Sequence, residues 1–156
     1  MAVARQFQAD LQAILKRRRD NGADFWATPD GRWGVGSPFS TFDCVLTLSE
    51  LGIKRSDPAL KGAAGQILNA WQDDGRFRPA PKGAVYPCHT ANAARALCRL
   101  GYARDRRLKQ TFDHLFEVQH VDGGWRCNTV KLGRSPVTDA SNPGVTLAAL
   151  DAFRFT

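Results

Sequence analysis

A chain of 156 residues, 43% apolar and 24% charged, carries one domain's worth of material and the composition of a soluble globular protein. No apolar run nears the ~20 residues that cross a bilayer, Gln6, Gln8, Asp10 and Gln12 interrupt any secretory signal, and Asp10 and Asp20 argue against a transit peptide, so a cytoplasmic location is expected. The balance of 22 Lys+Arg against 15 Asp+Glu gives a net charge of +7, which suits nucleic acid, a membrane surface or a pyrophosphate-bearing molecule, or else is a solvated basic surface.

In chain order, Phe7, Leu11, Ile14 and Leu15 predict an amphipathic first helix. An Asp30-Gly31-Arg32-Trp33 turn and a Gly- and Pro-rich loop lead to a second helix over 41–51, rich in apolar residues and stopped by Gly52. Asp57 as cap and Pro58 in the first turn open a third helix that runs to Trp71. The turn Asp74-Gly75-Arg76-Phe77 and a second Pro-rich loop precede a helix over 90–100, stopped by Gly101. Leu108, Phe112, Leu115 and Phe116 give the one-faced spacing of a fifth helix over 104–119. After Asp122-Gly123-Gly124-Trp125 and a third loop, Val145, Leu147, Ala148, Leu150 and Phe153 begin a sixth helix. The basic clusters at 16–19 and 104–109 lie beside apolar positions and read as solvent faces, with no RNA-binding or helix-turn-helix pattern among them.

Two series interleave at one period. The glycines of the Asp-Gly-aromatic turns are 44 and then 48 residues apart, and the Leu-Gly stops at Gly52 and Gly101 are 49 apart. A repeated helix–helix–turn unit follows, so 1–156 is expected to be a single repeat domain with units about 1–38, 39–87 and 88–142 and a last helix over 143–156. Two of the turns come after a glutamine at a helix end, Gln72 and Gln119.

These turns, with a Leu-Gly stop on the preceding helix, resemble the prenyltransferase and squalene-cyclase repeat over nearly the whole chain, from about Leu11 to Phe153. The resemblance implies an all-α fold of the (α/α) toroid type, in which inner helices line a cavity and outer helices surround them. Ring-closing members carry about twice the six helices counted here, so this chain is expected to be half a barrel that completes itself by self-association, or a piece of a longer protein.

In such a ring the inner helices start at one rim, where their N-termini favour anions. The resemblance thus implies an isoprenoid-like apolar ligand with a diphosphate head, handled as in terpene cyclases or prenyltransferases. Phe42, Tyr86 and Trp125 would meet the tail, Arg95, Arg126, Lys131 and Arg134 the head, and Asp43 or Asp139 would be the acid. Protein prenyltransferase β-subunits carry a stretch similar to Gly123-Gly124-Trp125-Arg126-Cys127-Asn128, Lys131 and Asp139-Ala140-Ser141, but Ser141 stands where their zinc thiolate would be. A different metal set of Cys88, His89, Cys127 and Asp139, with zinc as the metal, is weighed against small half-buried cysteines and a polar helix-start histidine. The Asp-x-Asp-Asp acid of class II terpene cyclases does not occur, and Asp73-Asp74 belongs to a turn. The alternatives are a non-catalytic binding or scaffold domain that kept the repeat, and a nucleic-acid-binding helical repeat.

Overall fold

The computed structural model describes residues 5–20, 24–34, 39–80, 82, 84–127 and 139–156. Among them the fold is all-α: a 3-10 turn Arg5–Phe7, then α1 (Gln8–Asp20), α2 (Thr41–Glu50), α3 (Pro58–Asn69), α4 (Pro87–Arg99), α5 (Arg106–Glu117) and α6 (Pro143–Phe153). No strand forms among these residues. Among the described residues the only β-type contact is an isolated bridge between Trp71 and Phe77.

Local chemistry starts and stops these helices as their sequence requires. Asp57 and Asp105 cap α3 and α5 by accepting from the N–H groups of Ala59 and Arg107, both at 2.9 Å. The α2 and α4 ends are closed by Gly52 and Gly101, at φ +87° and +90°. The next N–H reaches back five residues, Ile53 to Leu48 at 3.0 Å and Tyr102 to Leu97 at 2.9 Å, which is the glycine-dependent helix stop. Helix α4 begins at Pro87, three residues ahead of the Thr90 start that the alanine run suggests. A proline loses nothing in a first turn, where its missing N–H has no partner to find.

The three turns share one hydrogen-bond register. Thr28, Gln72 and His120 donate to the carbonyls of Arg32, Arg76 and Gly124 at 2.7, 2.8 and 2.8 Å. Gly31, Gly75 and Gly123, all at positive φ, donate back to those same three residues. The equivalents of Gln72 are therefore Thr28 and His120. Gln119 stands one place earlier, so the pairing of the two glutamines read from the sequence is out of register.

The second and third turns are then pinned by a threonine hydroxyl at the turn aromatic, and the first unit uses its threonine two residues ahead of the turn. Thr90 Oγ1 accepts from the Phe77 N–H at 3.2 Å and Thr146 Oγ1 from the Trp125 N–H at 3.0 Å. In the first unit Thr41 Oγ1 accepts from the Trp26 N–H at 3.2 Å and donates to the Trp26 carbonyl at 2.6 Å. These bonds satisfy backbone groups that burial would otherwise strand.

The packing places α4 at the centre, against α2 on one side and most extensively against α6 on the other. Ala91, Ala93, Ala94 and Ala96 of α4 and Ala148, Ala149 and Ala152 of α6 are buried, and such small side chains allow helices to approach closely. Helix α3 packs on α2 and α4, and α5 on α4. Thus α2, α4 and α6 form a row with α3 and α5 laid against it. Trp26, Phe77, Ile67, Leu97, Leu108 and Leu115 fill the space between the layers. Helix α1 is tied on by the Trp26 indole N–H, which donates to the Ile14 carbonyl at 2.8 Å, and by Arg18, which donates to the Ala59 carbonyl at 3.1 Å.

Candidate functional site

The starts of the row helices and the segments after each aromatic turn come together. A Cβ on Gly34 would stand 2.5 Å from Pro79 and 3.2 Å from the Phe42 ring, so the post-turn segments of the first two units touch beside α2. Between the second and third units, Cys127 lies near enough to Cys88 to add to the effect of burial in pushing the Cys88 thiol up to about 11. Cys88 lies in the first turn of α4, and Cys127 lies two residues after Trp125.

Helix α4 begins without a side-chain cap: Tyr86 occupies the cap position and makes no capping hydrogen bond. Its N-terminal partial positive charge is thus left to the surroundings. The Tyr86 ring packs edge-on against His89, with ring centroids 5.0 Å apart. His89 is only 8% exposed, its Nδ1 has no hydrogen-bond partner, and burial lowers its pKa, so the ring is neutral at pH 7. Farther along α4, Arg95 is half-buried, and its Nε is buried without a partner.

Other nominated residues are engaged in structural roles. Asp43 is exposed and tied to the helix cap: the Ser40 hydroxyl donates to its carboxylate at 2.5 Å and accepts from its N–H at 3.2 Å. Phe42 is buried edge-on against Trp33, with centroids 5.6 Å apart. Trp125 is buried too, its indole N–H donating to the Leu115 carbonyl at 2.7 Å and its ring stacked on Phe153 at 5.8 Å. Both rings serve as plugs between helices.

Arg126 pairs with Asp139 and also contacts His120. His120 lies 3.0 Å from Asp122 through Nδ1 and 3.7 Å from Asp139 through Nε2. Asp122 accepts from the Ser141 and Gly124 N–H groups at 2.8 and 3.1 Å, which hold its carboxyl well below the usual carboxylate range. This cluster fastens the start of α6 to the third turn.

The four residues weighed as a metal set divide between these two places. Cys88 lies near Cys127, His89 packs on Tyr86, and Asp139 belongs to the Arg126–His120 cluster. Among the described residues, no three His, Cys, Asp or Glu side chains are grouped to hold a metal. Lys131 and Arg134 lie outside the described residues. At the opposite end of α4, a groove of about 560 Å³ is lined by Arg55, Asp57, Leu60, Lys61, Leu100 and Tyr102, and it contains none of the nominated residues.

Sequence reasoning missed the threonines that hold the turns. Their signal was present: Pro38, Pro87 and Pro143 each precede Thr41, Thr90 and Thr146 by three residues. It also missed His120, whose partner Asp139 is 19 residues away with no spacing rule to link them. Compared with known proteins, the chain matches no family model and no curated sequence. No helix among the described residues is long and apolar enough to cross a membrane.

Proposed function

We propose that this chain is one half of an α/α ring, that two copies close the ring, and that its inner-helix rim binds an apolar molecule with an anionic head. The observation that carries this reading is a matter of register. Aligned on their threonines, Phe42 and Val45 of α2 correspond to Ala91 and Ala94 of α4 and to Leu147 and Leu150 of α6. The first two pairs are buried, whereas Leu147 is 65% and Leu150 53% exposed. In the row, α4 lies beside α2 and α6 beside α4. The exposed pair occupies the positions that are buried on the two earlier helices of the row. An uncovered apolar end face is what a repeat array caps or associates through, and an inner helix of a second copy is the matching surface.

The rim supplies the ligand chemistry. The uncapped α4 N-terminus and the unpartnered Nδ1 of His89 favour an anionic or hydrogen-bonding head group. Tyr86 and the apolar flanks of the row suit a hydrocarbon tail. This is a reading of binding rather than of catalysis, because Asp43 is spent on a helix cap and Asp139 on Arg126.

Calorimetric titration with farnesyl diphosphate, inorganic pyrophosphate and a DNA oligomer tests the ligand class. Saturable binding of farnesyl diphosphate, at least tenfold tighter than pyrophosphate because the tail adds buried apolar area, is expected. DNA binding of equal or greater strength with steep salt dependence would replace this reading with nucleic-acid recognition.

A further inference from the structure

The first turns of α3 and the residues that end α4 leave a groove of about 560 Å³ between them, a size that takes a small organic molecule. Leu60, Ala64 and Leu100 in its lining are buried and Tyr102 is half-buried, while Arg55 and Lys61 are exposed. Gly101, at φ +90°, brings Arg55 in: a Cβ there would stand 2.7 Å from Arg55 Nη1 and 3.0 Å from its Cδ. Only a glycine at this turn lets the guanidinium lie so close. Among the described residues neither Arg55 nor Lys61 makes a hydrogen bond or an ion pair. Helix α5 shows the contrast. Aligned on the caps Asp57 and Asp105, Lys61 corresponds to Lys109, which is paired with Asp113 at 2.9 Å. The position in α3 that matches Asp113 is Gly65, so Lys61 has no acid to meet. The acid of the groove, Asp57, accepts from the Ala59 N–H at 2.9 Å and pairs with neither cation.

We propose that this groove is a separate binding site for a small apolar monocarboxylate, a hydrocarbon or aryl acid with one carboxylate. The carboxylate takes the guanidinium fork of Arg55, with Lys61 as a second point charge. The hydrocarbon part lies on Leu60, Leu100 and the Tyr102 ring, where it leaves water for an apolar surface. Arg55 and Lys61 against Asp57 leave one net positive charge in the lining, which a single carboxylate balances and a phosphate dianion overshoots. Leu60 and Lys61 belong to α3, and Leu100 and Tyr102 close α4, so a bound acid bridges the row and the layer laid against it. The groove shares no residue with the rim proposed above, and either reading can fail alone.

The test follows the backbone amide resonances of the isotopically labelled full-length chain during titration with hydrocinnamate, its neutral amide and inorganic phosphate. Saturable shifts at Lys61, Gly101 and Tyr102 are expected with hydrocinnamate. The neutral amide and phosphate should each bind about tenfold more weakly or worse, since one lacks the charge and the other the apolar part. Arg55→Ala should weaken hydrocinnamate by about tenfold, and Lys61→Ala should weaken it as well. Both side chains are exposed, so both variants keep the fold. Lys109→Ala removes the same charge from α5, outside the groove, and should leave the affinity unchanged. The proposal is overturned by the absence of saturable shifts, or by shifts centred on Tyr86 to Thr90 instead. Equal affinity for the amide or for phosphate, an unchanged affinity in Arg55→Ala or Lys61→Ala, or an equal loss in Lys109→Ala overturns it too.

Discussion

Phe77→Ala is expected to destabilise the fold by about 3–5 kcal/mol, the usual cost of emptying a buried aromatic site. Phe77 is fully buried, and its backbone is fixed as well, since its N–H is bonded to Thr90 and the adjacent Arg78 N–H to the Ala70 carbonyl at 2.8 Å. With the neighbouring backbone tied at both points, the site cannot collapse, so the cavity remains. Phe116→Ala, in the same chain and of the same chemistry, is the control. That ring is 70% exposed, and its loss should shift stability by less than about 0.5 kcal/mol. Urea unfolding followed by circular dichroism measures both. Similar midpoints for the two variants would mean that the turn aromatics are not plugs.

Gly75→Ala should be the most damaging of the turn glycine changes. Gly31, Gly75 and Gly123 all sit at positive φ, which costs an alanine about 1–2 kcal/mol wherever it occurs. At Gly31 and Gly123 an added Cβ meets nothing within 4 Å. At Gly75 it would stand 2.7 Å from the Gln110 carbonyl oxygen and 3.1 Å from its carbon, both backbone atoms of α5. That overpacking adds about 1–3 kcal/mol, for a total near 3 kcal/mol. The order Gly75 well above Gly31 and Gly123 is the expected outcome in thermal melts of the three variants. Equal losses would show that the second turn is not seated against α5.

These two residues illustrate what a single sequence carries. The Asp-Gly-aromatic turns and the Leu-Gly stops are local events, each set by a dihedral preference and a few neighbouring hydrogen bonds. They are therefore legible, and with them the all-α hairpin architecture. The Pro87 start was harder to see because proline marks both loop ends and first helical turns. The site was less legible still. Asp43 close to a helix start satisfies the description of a buried acid and of a cap equally well, and only the Ser40 contact separates the two. Phe42 and Trp125 are apolar residues near a rim in sequence but plugs in space, since their rings are turned to Trp33 and Phe153. The Asp139–His120 contact depends on how one loop returns, which no periodicity encodes.

Closure of the ring by a second copy is tested most directly by light scattering of the purified chain across a concentration series, beside the Leu147→Glu, Leu150→Glu double variant. Both side chains are exposed, so the variant is expected to fold as the wild type does. The wild type should give the mass of two chains and the variant the mass of one. A wild type that stays at single-chain mass at every concentration contradicts the proposal that this face of α6 meets another copy.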